Sequence, residues 1–479
     1  MYGPYATRRA FLSNMIRSVP LLGACGALAS TSSSADPRGR SAADVTLRIA
    51  PVQLEVAAGQ FIRTVGYNGA VPGPLMRFKE GVAATVDMFN ETADSELVHW
   101  HGFHIPADLD GAAEEGSPEV PAHGRLRYRM TPYPSGFRYV HTHAMAMSDL
   151  NRGTFTGQFG FVWIEPRNNP GRYDQEIFLA THEWSPYLTH SEVEQDSSPL
   201  PHPPAAEMES GQPHAWEVAY RYYTINGKCL GFGEPIRVKE GQHVLFHFLN
   251  ASATESVRLA LPGHQFLVVA LDGNPVPRPQ RVDVLELGVA ERIDAVVEMN
   301  FPGSFVLGSP DDSHRAKGMG IVVEYANRGG SPQWMKPPNS LWDYTVFGEN
   351  RPVTAPDVVL RLVFRQTGNS QAGFEQWTIN GSRYDDRTEP TRLAQGKRYG
   401  FVFDNQSDDD HPVHLHRNSF ELVDVGGQAT AGIWKDVVMV KSRQRVRVNV
   451  SPLAHGLSLF HCHQQLHMDN GFKILFEAT

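Results

Sequence analysis

Cysteine is nearly missing from this sequence. Its 479 residues include three, Cys25, Cys229 and Cys462, which lie far apart. If Cys25 belongs to a leader and Cys462 to a metal site, Cys229 has no partner and no disulfide framework is available, so stability must come from core packing and bound metal. Long apolar runs are also missing, as is the 3.6-residue periodicity of long amphipathic helices. The first absence argues against a membrane span, which needs roughly 20 apolar residues, and the second against a helical bundle. Positive charge is in short supply too: the formal net charge is −9. Residues 1–40 carry five of the 43 basic residues and one of the 52 acidic ones, which leaves the rest of the chain at −13. A nucleic-acid partner is thereby disfavoured, because such binding relies on a basic footprint.

The N-terminus reads as an export leader. Arg8 and Arg9 in "TRRAFL" precede "VPLLGACGALA", a short apolar run ending in small residues. The pattern resembles a twin-arginine leader, which implies export of a folded protein to the periplasm or cell surface. "LLGAC" resembles a lipoprotein box with Cys25 as the acylated residue, whereas Ala27 and Ala29 form an ordinary A-x-A cleavage site. Lipid-anchored and free forms both remain open.

What the sequence does contain is repetition. At a prior of about 150 residues per domain, its length suggests roughly three domains. Three stretches agree: "YNGAVPGPLMRFKEG" ending at Gly81, "TINGKCLGFGEPIRVKEG" ending at Gly241 and "TINGSRYDDRTEPTRLAQG" ending at Gly396. Each is followed by an apolar run that closes on Asn: "VAATVDMFN", "QHVLFHFLN" and "KRYGFVFDN". A period this long is a whole domain, not a solenoid unit. Within each copy, alternating Val, Phe, Thr and Tyr segments broken by Gly, Pro and Asn predict a β-sandwich. Linkers are expected around residue 168 and before residue 340, and a polar, proline-rich surface loop from Ser191 to Pro213.

Histidine is concentrated in four His-x-His pairs: His99 and His101, His141 and His143, His414 and His416, and His461 and His463. Residues two apart on a strand face the same way, so each pair presents two imidazoles together. Two pairs come from the first copy and two from the third, and docking those copies would gather eight imidazoles, enough for three metal ions. Cys462 lies between His461 and His463 and so points away from them. His411 falls on the same opposite parity as Cys462, and His467 is placed for the chain to turn back toward the thiolate. A His₂Cys set with a weak or absent axial ligand is a blue-copper arrangement. Zinc alone leaves the convergence of eight imidazoles unexplained, since carboxylates and thiols are too few to close separate tetrahedral sites.

"HWHG", "HTHA", "HPVHLH" and "HCHQQLHMDNGF" resemble the four copper motifs of the three-domain multicopper oxidases, and with the repeat the resemblance spans roughly residues 45 to 479. It implies an all-β chain of three cupredoxin-like Greek-key β-sandwich domains at 41–168, 169–335 and 336–479, behind a leader at 1–40. It also implies four copper ions. His99 and His414 would hold the type 2 copper; His101, His141, His143, His416, His461 and His463 the type 3 pair; His411, Cys462 and His467 the type 1 copper. The middle copy should be copper-free, with His264, His243 and His247 structural. One departure is Arg417, where the family usually has glycine.

The resemblance further implies an oxidase that passes single electrons from a small-molecule donor or metal ion, through Cys462 and its neighbours His461 and His463, to dioxygen. Phenols or aromatic amines are the leading donors, and cuprous, ferrous or manganous ions the alternative. Asp110, nine residues after His101, matches a proton-passing Asp, although an Asp-Gly turn needs no such role. Asp469 is a weaker relay candidate, because Met468 stands where some bacterial relatives have Glu. Phe472 occupies the position of an axial methionine and cannot donate to copper, which should raise the type 1 potential; Met468 is the nearest substitute. Met145 and Met147 are expected to pack. The "SDDD" turn, Ser407–Asp410, could attract cations, though such turns are usually only solvated.

Overall fold

A computed structural model describes residues 42–167, 173–189, 215–370, 372–452 and 454–479. The leader with Cys25 and the loop from Ser191 to Pro213 lie outside the described residues, as does most of the linker around residue 168.

The repeats begin as type I′ hairpin turns. Asn68-Gly69, Asn226-Gly227 and Asn380-Gly381 all have positive φ, 53° and 74°, 51° and 74°, and 55° and 80°, the turn that Asn-Gly favours because its twist matches that of the flanking strands. Each copy then builds two sheets. In the first copy, Gln60–Tyr67, Val45–Ala57, Ala84–Asn90 and Arg125–Met130 form one sheet, and Gly73–Lys79, Phe159–Glu165, Gly136–Thr142 and Val98–His101 the other. A six- and a five-stranded sheet follow in the second copy, and a seven- and a five-stranded sheet in the third.

Topology repeats with the sequence. The opening strand of each copy pairs in parallel with the strand after the closing glycine: Val45–Ala57 with Ala84–Asn90, Gln175–Thr189 with His243–Asn250, and Val358–Asn369 with Tyr399–Asn405. The asparagine ending each of these second strands does the same work three times. Asn90, Asn250 and Asn405 accept from the backbone N–H two residues on, at 2.9, 3.0 and 2.9 Å. Each also donates through Nδ2 to a carbonyl four or five residues on and to one across the sandwich. These bonds satisfy backbone groups that would otherwise be orphaned at a buried strand exit.

Inward-facing apolar residues form the cores. Leu47, Ile49, Val86, Met88, Trp100 and Val140 lie in the first. A larger cluster holds Phe246, Phe248 and Leu259 of the second copy, Phe401, Phe403 and Phe460 of the third, and includes Cys462 and Phe472. Among the described residues, no helix is long and apolar enough to cross a membrane.

Candidate metal centres

Strand register brings the four histidine pairs together. In the first copy Val98–His101 lies antiparallel to Gly136–Thr142 with His99 opposite His141; in the third, His411–Leu415 lies beside Gly456–Cys462 with His414 opposite His461. All eight imidazoles are buried. The two copies then interlock: the ring of His99 stacks on that of His416 at 4.0 Å, and His101 on His414 at 3.8 Å.

Hydrogen bonds fix which nitrogen is free in most of the rings. Nδ1 of His99 donates to the Asp110 carbonyl, of His414 to the Asp436 carbonyl, of His141 to the Thr142 carbonyl and of His461 to the Cys462 carbonyl, each at 2.8 Å. Nδ1 of His416 donates to Asp110 Oδ2 at 2.7 Å. His101 is reversed: its Nε2 donates to Asp436 Oδ1 at 3.1 Å, which leaves Nδ1 free. Tying one imidazole nitrogen to an oxygen orients the other as a ligand. Buried Nδ1 of His101 and His463 and Nε2 of His141 and His143 have no hydrogen-bond partner, an arrangement that a bound cation resolves. Burial, reinforced by neighbouring imidazoles, holds His101, His143 and His414 well below the ordinary histidine pKa, so these rings are neutral, the form that binds metal. Sets that could hold an ion include His99 with His414 and His416, His99 with His101 and His141, His143 with His416 and His461, and His101 with His414 and Asp436.

A second centre sits behind Cys462. Its Sγ lies 3.6 Å from His411 Nδ1 and 3.5 Å from His467 Nδ1, the predicted His₂Cys set. His467 is delivered by the short helix Gln465–Asp469, and burial pushes it down to about 3. Ser407, from the acidic turn, accepts from His411 Nε2 at 2.8 Å and so frees Nδ1; the sequence suggested only the turn's charge. Burial pushes the Cys462 thiol up, and a bound metal would release that proton. Trp377 covers both imidazoles, at 4.6 and 4.5 Å between ring centres. Phe472 is fully buried, 4.7 Å from His411 and 4.8 Å from Phe364: it borders the site and packs the core at once.

The supporting residues divide. Asp110 ends the helix Ala107–Asp110, and the following Gly111 has φ 102°; a Cβ there would lie 2.0 Å from the Val98 carbonyl oxygen, so only glycine lets the turn press Asp110 against the cluster. Burial pushes Asp110 up, but His99 and His416 prevail and hold it below the ordinary carboxylate range. Glu115, which no spacing in the sequence marks, also reaches His416, at 3.3 Å, and is raised by burial and by Asp110. Asp110 Oδ1 and Glu115 Oε2 both lack a donor, so a proton held by Glu115 and shared with Asp110 satisfies both. Asp469 accepts instead from the backbone N–H groups of Ala146 and Met147, at 2.9 and 2.7 Å, and from Gln465 Nε2, the geometry of an anchor.

Met145 and Met147 do not pack: they are 41% and 47% exposed. With the loop held by Asp469 and Met147 at φ 53°, Ala146 turns into the core in their place. His247 is structural, donating to Asp294 at 2.8 Å and stacking on Phe178 at 4.2 Å, whereas His243 is exposed at the strand end. His264 is held by the Pro262 carbonyl and the Tyr325 hydroxyl. Arg417 adopts φ 63°, the conformation that makes glycine usual there, and its guanidinium offsets the strain by donating to the carbonyls of Ile105, Leu457 and His455.

Comparison with known proteins agrees. Multicopper oxidase family models match residues 49–169, 201–324 and 355–479. The multicopper oxidase MmcO of Mycobacterium tuberculosis is 28% identical, covering 97% of this chain and 95% of that protein. Among solved structures, Fet3p, described as a multicopper oxidase that functions in iron import, superposes with a TM-score of 0.73 at 16% identity over 91% of this chain and 90% of its own. A laccase from Botrytis aclada gives 0.72 at 18% identity over 90% and 87%. The fold is therefore three cupredoxin sandwiches, and the chain is an oxidoreductase that belongs to the multicopper oxidase family.

Proposed function

We propose that this oxidase takes single electrons from a small donor, phenols or aromatic amines foremost, and uses them to reduce dioxygen to water. The observation that carries the reading is the pair of ligand sets back to back on one strand, with Cys462 facing His411 and His467 while His461 and His463 face the eight-imidazole cluster. Four copper ions fit these donors: one at His411, Cys462 and His467, one at His99 and His414, and two among His101, His141, His143, His416, His461 and His463. Copper bound there supplies one-electron redox chemistry, and four ions match the four electrons that dioxygen requires.

The chain supplies the rest. The backbone of Cys462 joins the two sets covalently, and the bond from His461 Nδ1 to the Cys462 carbonyl adds a second link. Asp110 and Glu115 hold a proton beside His416, in reach of the cluster. A cavity of about 10 Å³, lined by His141, His463, Tyr139, Thr156 and Ser252 among others, leaves room for about one water beside the imidazoles. Export behind the leader at 1–40 and division of the chain at 41–168, 169–335 and 336–479 complete the proposal.

One observation favours metal-ion donors as a second reading. Glu375 Oε2 lies 3.9 Å from His467 Nε2, and burial together with Asp409 and Glu217 raises that carboxyl to about 7, so acidic groups gather where a donor meets the cysteine site. Turnover of a substituted phenol is to be compared with that of ferrous, cuprous and manganous ions, in the wild type and in Glu375→Gln. The leading reading expects the phenol to be oxidised fastest and to tolerate the substitution. Faster ion oxidation that collapses in Glu375→Gln would replace it with the second.

A further inference from the structure

Behind the imidazole cluster lies a buried knot of charge. Asp436 Oδ1 accepts from Arg292 Nη1 at 2.7 Å and from His101 Nε2 at 3.1 Å, and its Oδ2 accepts from Arg292 Nη2 at 2.6 Å. Its carbonyl accepts from His414 Nδ1 at 2.8 Å. Asp272 supports the same segment, taking the N–H groups of Asp436 and Val437 at 3.2 and 3.0 Å and the Lys435 ammonium at 3.0 Å. Arg138 and Glu291 complete the set, giving three cations and three carboxylates, none more than 2% exposed.

The knot joins all three copies of the repeat. Arg138 comes from the first, Asp272, Glu291 and Arg292 from the second, and Lys435 and Asp436 from the third. Gly102, just after His101, is wedged against it: a Cβ there would lie 2.8 Å from Asp436 Oδ2 and 2.9 Å from Arg292 Nη2. Burying six charges is costly, and well-packed apolar residues often stabilise as well or better, so such a network is poor evidence for stability alone. What it does here is local. Of the seven cluster rings bonded to an oxygen, five bond through Nδ1 and two through Nε2, His101 to Asp436 and His463 to the Tyr139 hydroxyl at 3.3 Å. Asp436 holds His101 in this orientation through its carboxylate, and the same residue orients His414 through its carbonyl.

We propose that Asp436, clamped by Arg292, is a positioning residue that presents His101 Nδ1 and His414 Nε2 to the imidazole cluster, so that the copper-free middle copy helps to set copper affinity in a site to which it gives no ligand. The inference rests on the copper reading above. Losing a partner of a metal-bound histidine typically weakens metal binding about 10–100-fold.

The test is copper stoichiometry and affinity by chelator competition, on the wild type, the isosteric Asp436→Asn and Arg292→Lys, with blue thiolate absorption read in parallel. The expected result is a loss of about 10–100-fold in affinity for cluster copper in Asp436→Asn. A smaller loss is expected in Arg292→Lys, and full blue absorption per chain in both. Wild-type affinity in Asp436→Asn would overturn the proposal. So would parallel loss of blue absorption and cluster copper in both variants, which marks a folding role. A wild type that takes up no copper would instead refute the parent reading, and is told apart because it shows before any substitution is made.

Discussion

At the scale of single residues, the cysteine site depends on what each side chain cannot do. Phe472 offers no donor atom, and its ring sits 4.7 Å from that of His411 within a cage shared with Trp377 and Phe364. A thioether there would stabilise the cupric state, so Phe472→Met is expected to lower the potential of the blue site; redox titration of the blue absorption reads the shift, and an unchanged potential would show that position 472 does not face the metal. The convergence of the imidazoles was legible because strand alternation turns a spacing of two into a shared face. Asp436 and Glu115 were not. They reach the cluster from a short linker in "WKDVV" and from a 3-10 turn after Asp110, where no periodicity marks a direction. Ser407 is intermediate: its turn stood out for charge, and its hydroxyl proved to be the part in contact with His411.

Elements carry the next level of control. The helix Gln465–Asp469 spans five residues and has no side-chain cap at its start, so it is too short to hold its own shape. It is held instead by tertiary bonds. Asp469 takes two backbone N–H groups of the loop after His143, and Gln465 accepts from the N–H and hydroxyl of Thr154 at 2.8 and 2.7 Å. One helix thus ties His467 of the third copy to the loop leaving His143 in the first. Removing the Asp469 carboxylate leaves the Ala146 and Met147 N–H groups unpaired. Asp469→Ala is therefore expected to cost about 1–3 kcal/mol in denaturant unfolding, and to quicken amide exchange at Ala146 and Met147; unchanged exchange would show that the loop holds itself. This coupling was not readable from sequence, since Asp469 drew notice there only as a weaker relay candidate beside Met468. The repeated stretches and their closing asparagines, by contrast, were plain there, because turn residues and strand-end asparagines act locally.

In the molecule as a whole, the outer copies supply the ligands named for the two centres and the middle copy supplies buried charge and acid. Glu183, on the long strand Gln175–Thr189, is 1% exposed and is pushed up to about 8 by burial, with Glu255 adding to the effect. A carboxyl raised in the folded state gives stability that is fully present below its unfolded pKa, near 4.5, and is lost as pH rises through about 8. Glu183→Gln should flatten the fall in unfolding free energy across that window, on the order of 3–5 kcal/mol from about 1.4 kcal/mol per pKa unit; an unchanged pH profile would place the charge elsewhere. Fold class and the threefold division followed from the repeat itself, while the contacts between copies, from the stacking of His99 on His416 to the Asp436 knot, depend on docking that no single repeat encodes. On the reading proposed above, Cys462 anchors one copper while its neighbours His461 and His463 face three more. Copper quantification with absorption spectroscopy, on the wild type and on Cys462→Ser, tests it most directly. Four copper ions per chain and a blue band are expected in the wild type, and about three ions with no blue band in the variant; a blue band that survives in Cys462→Ser would show that Cys462 does not hold that copper.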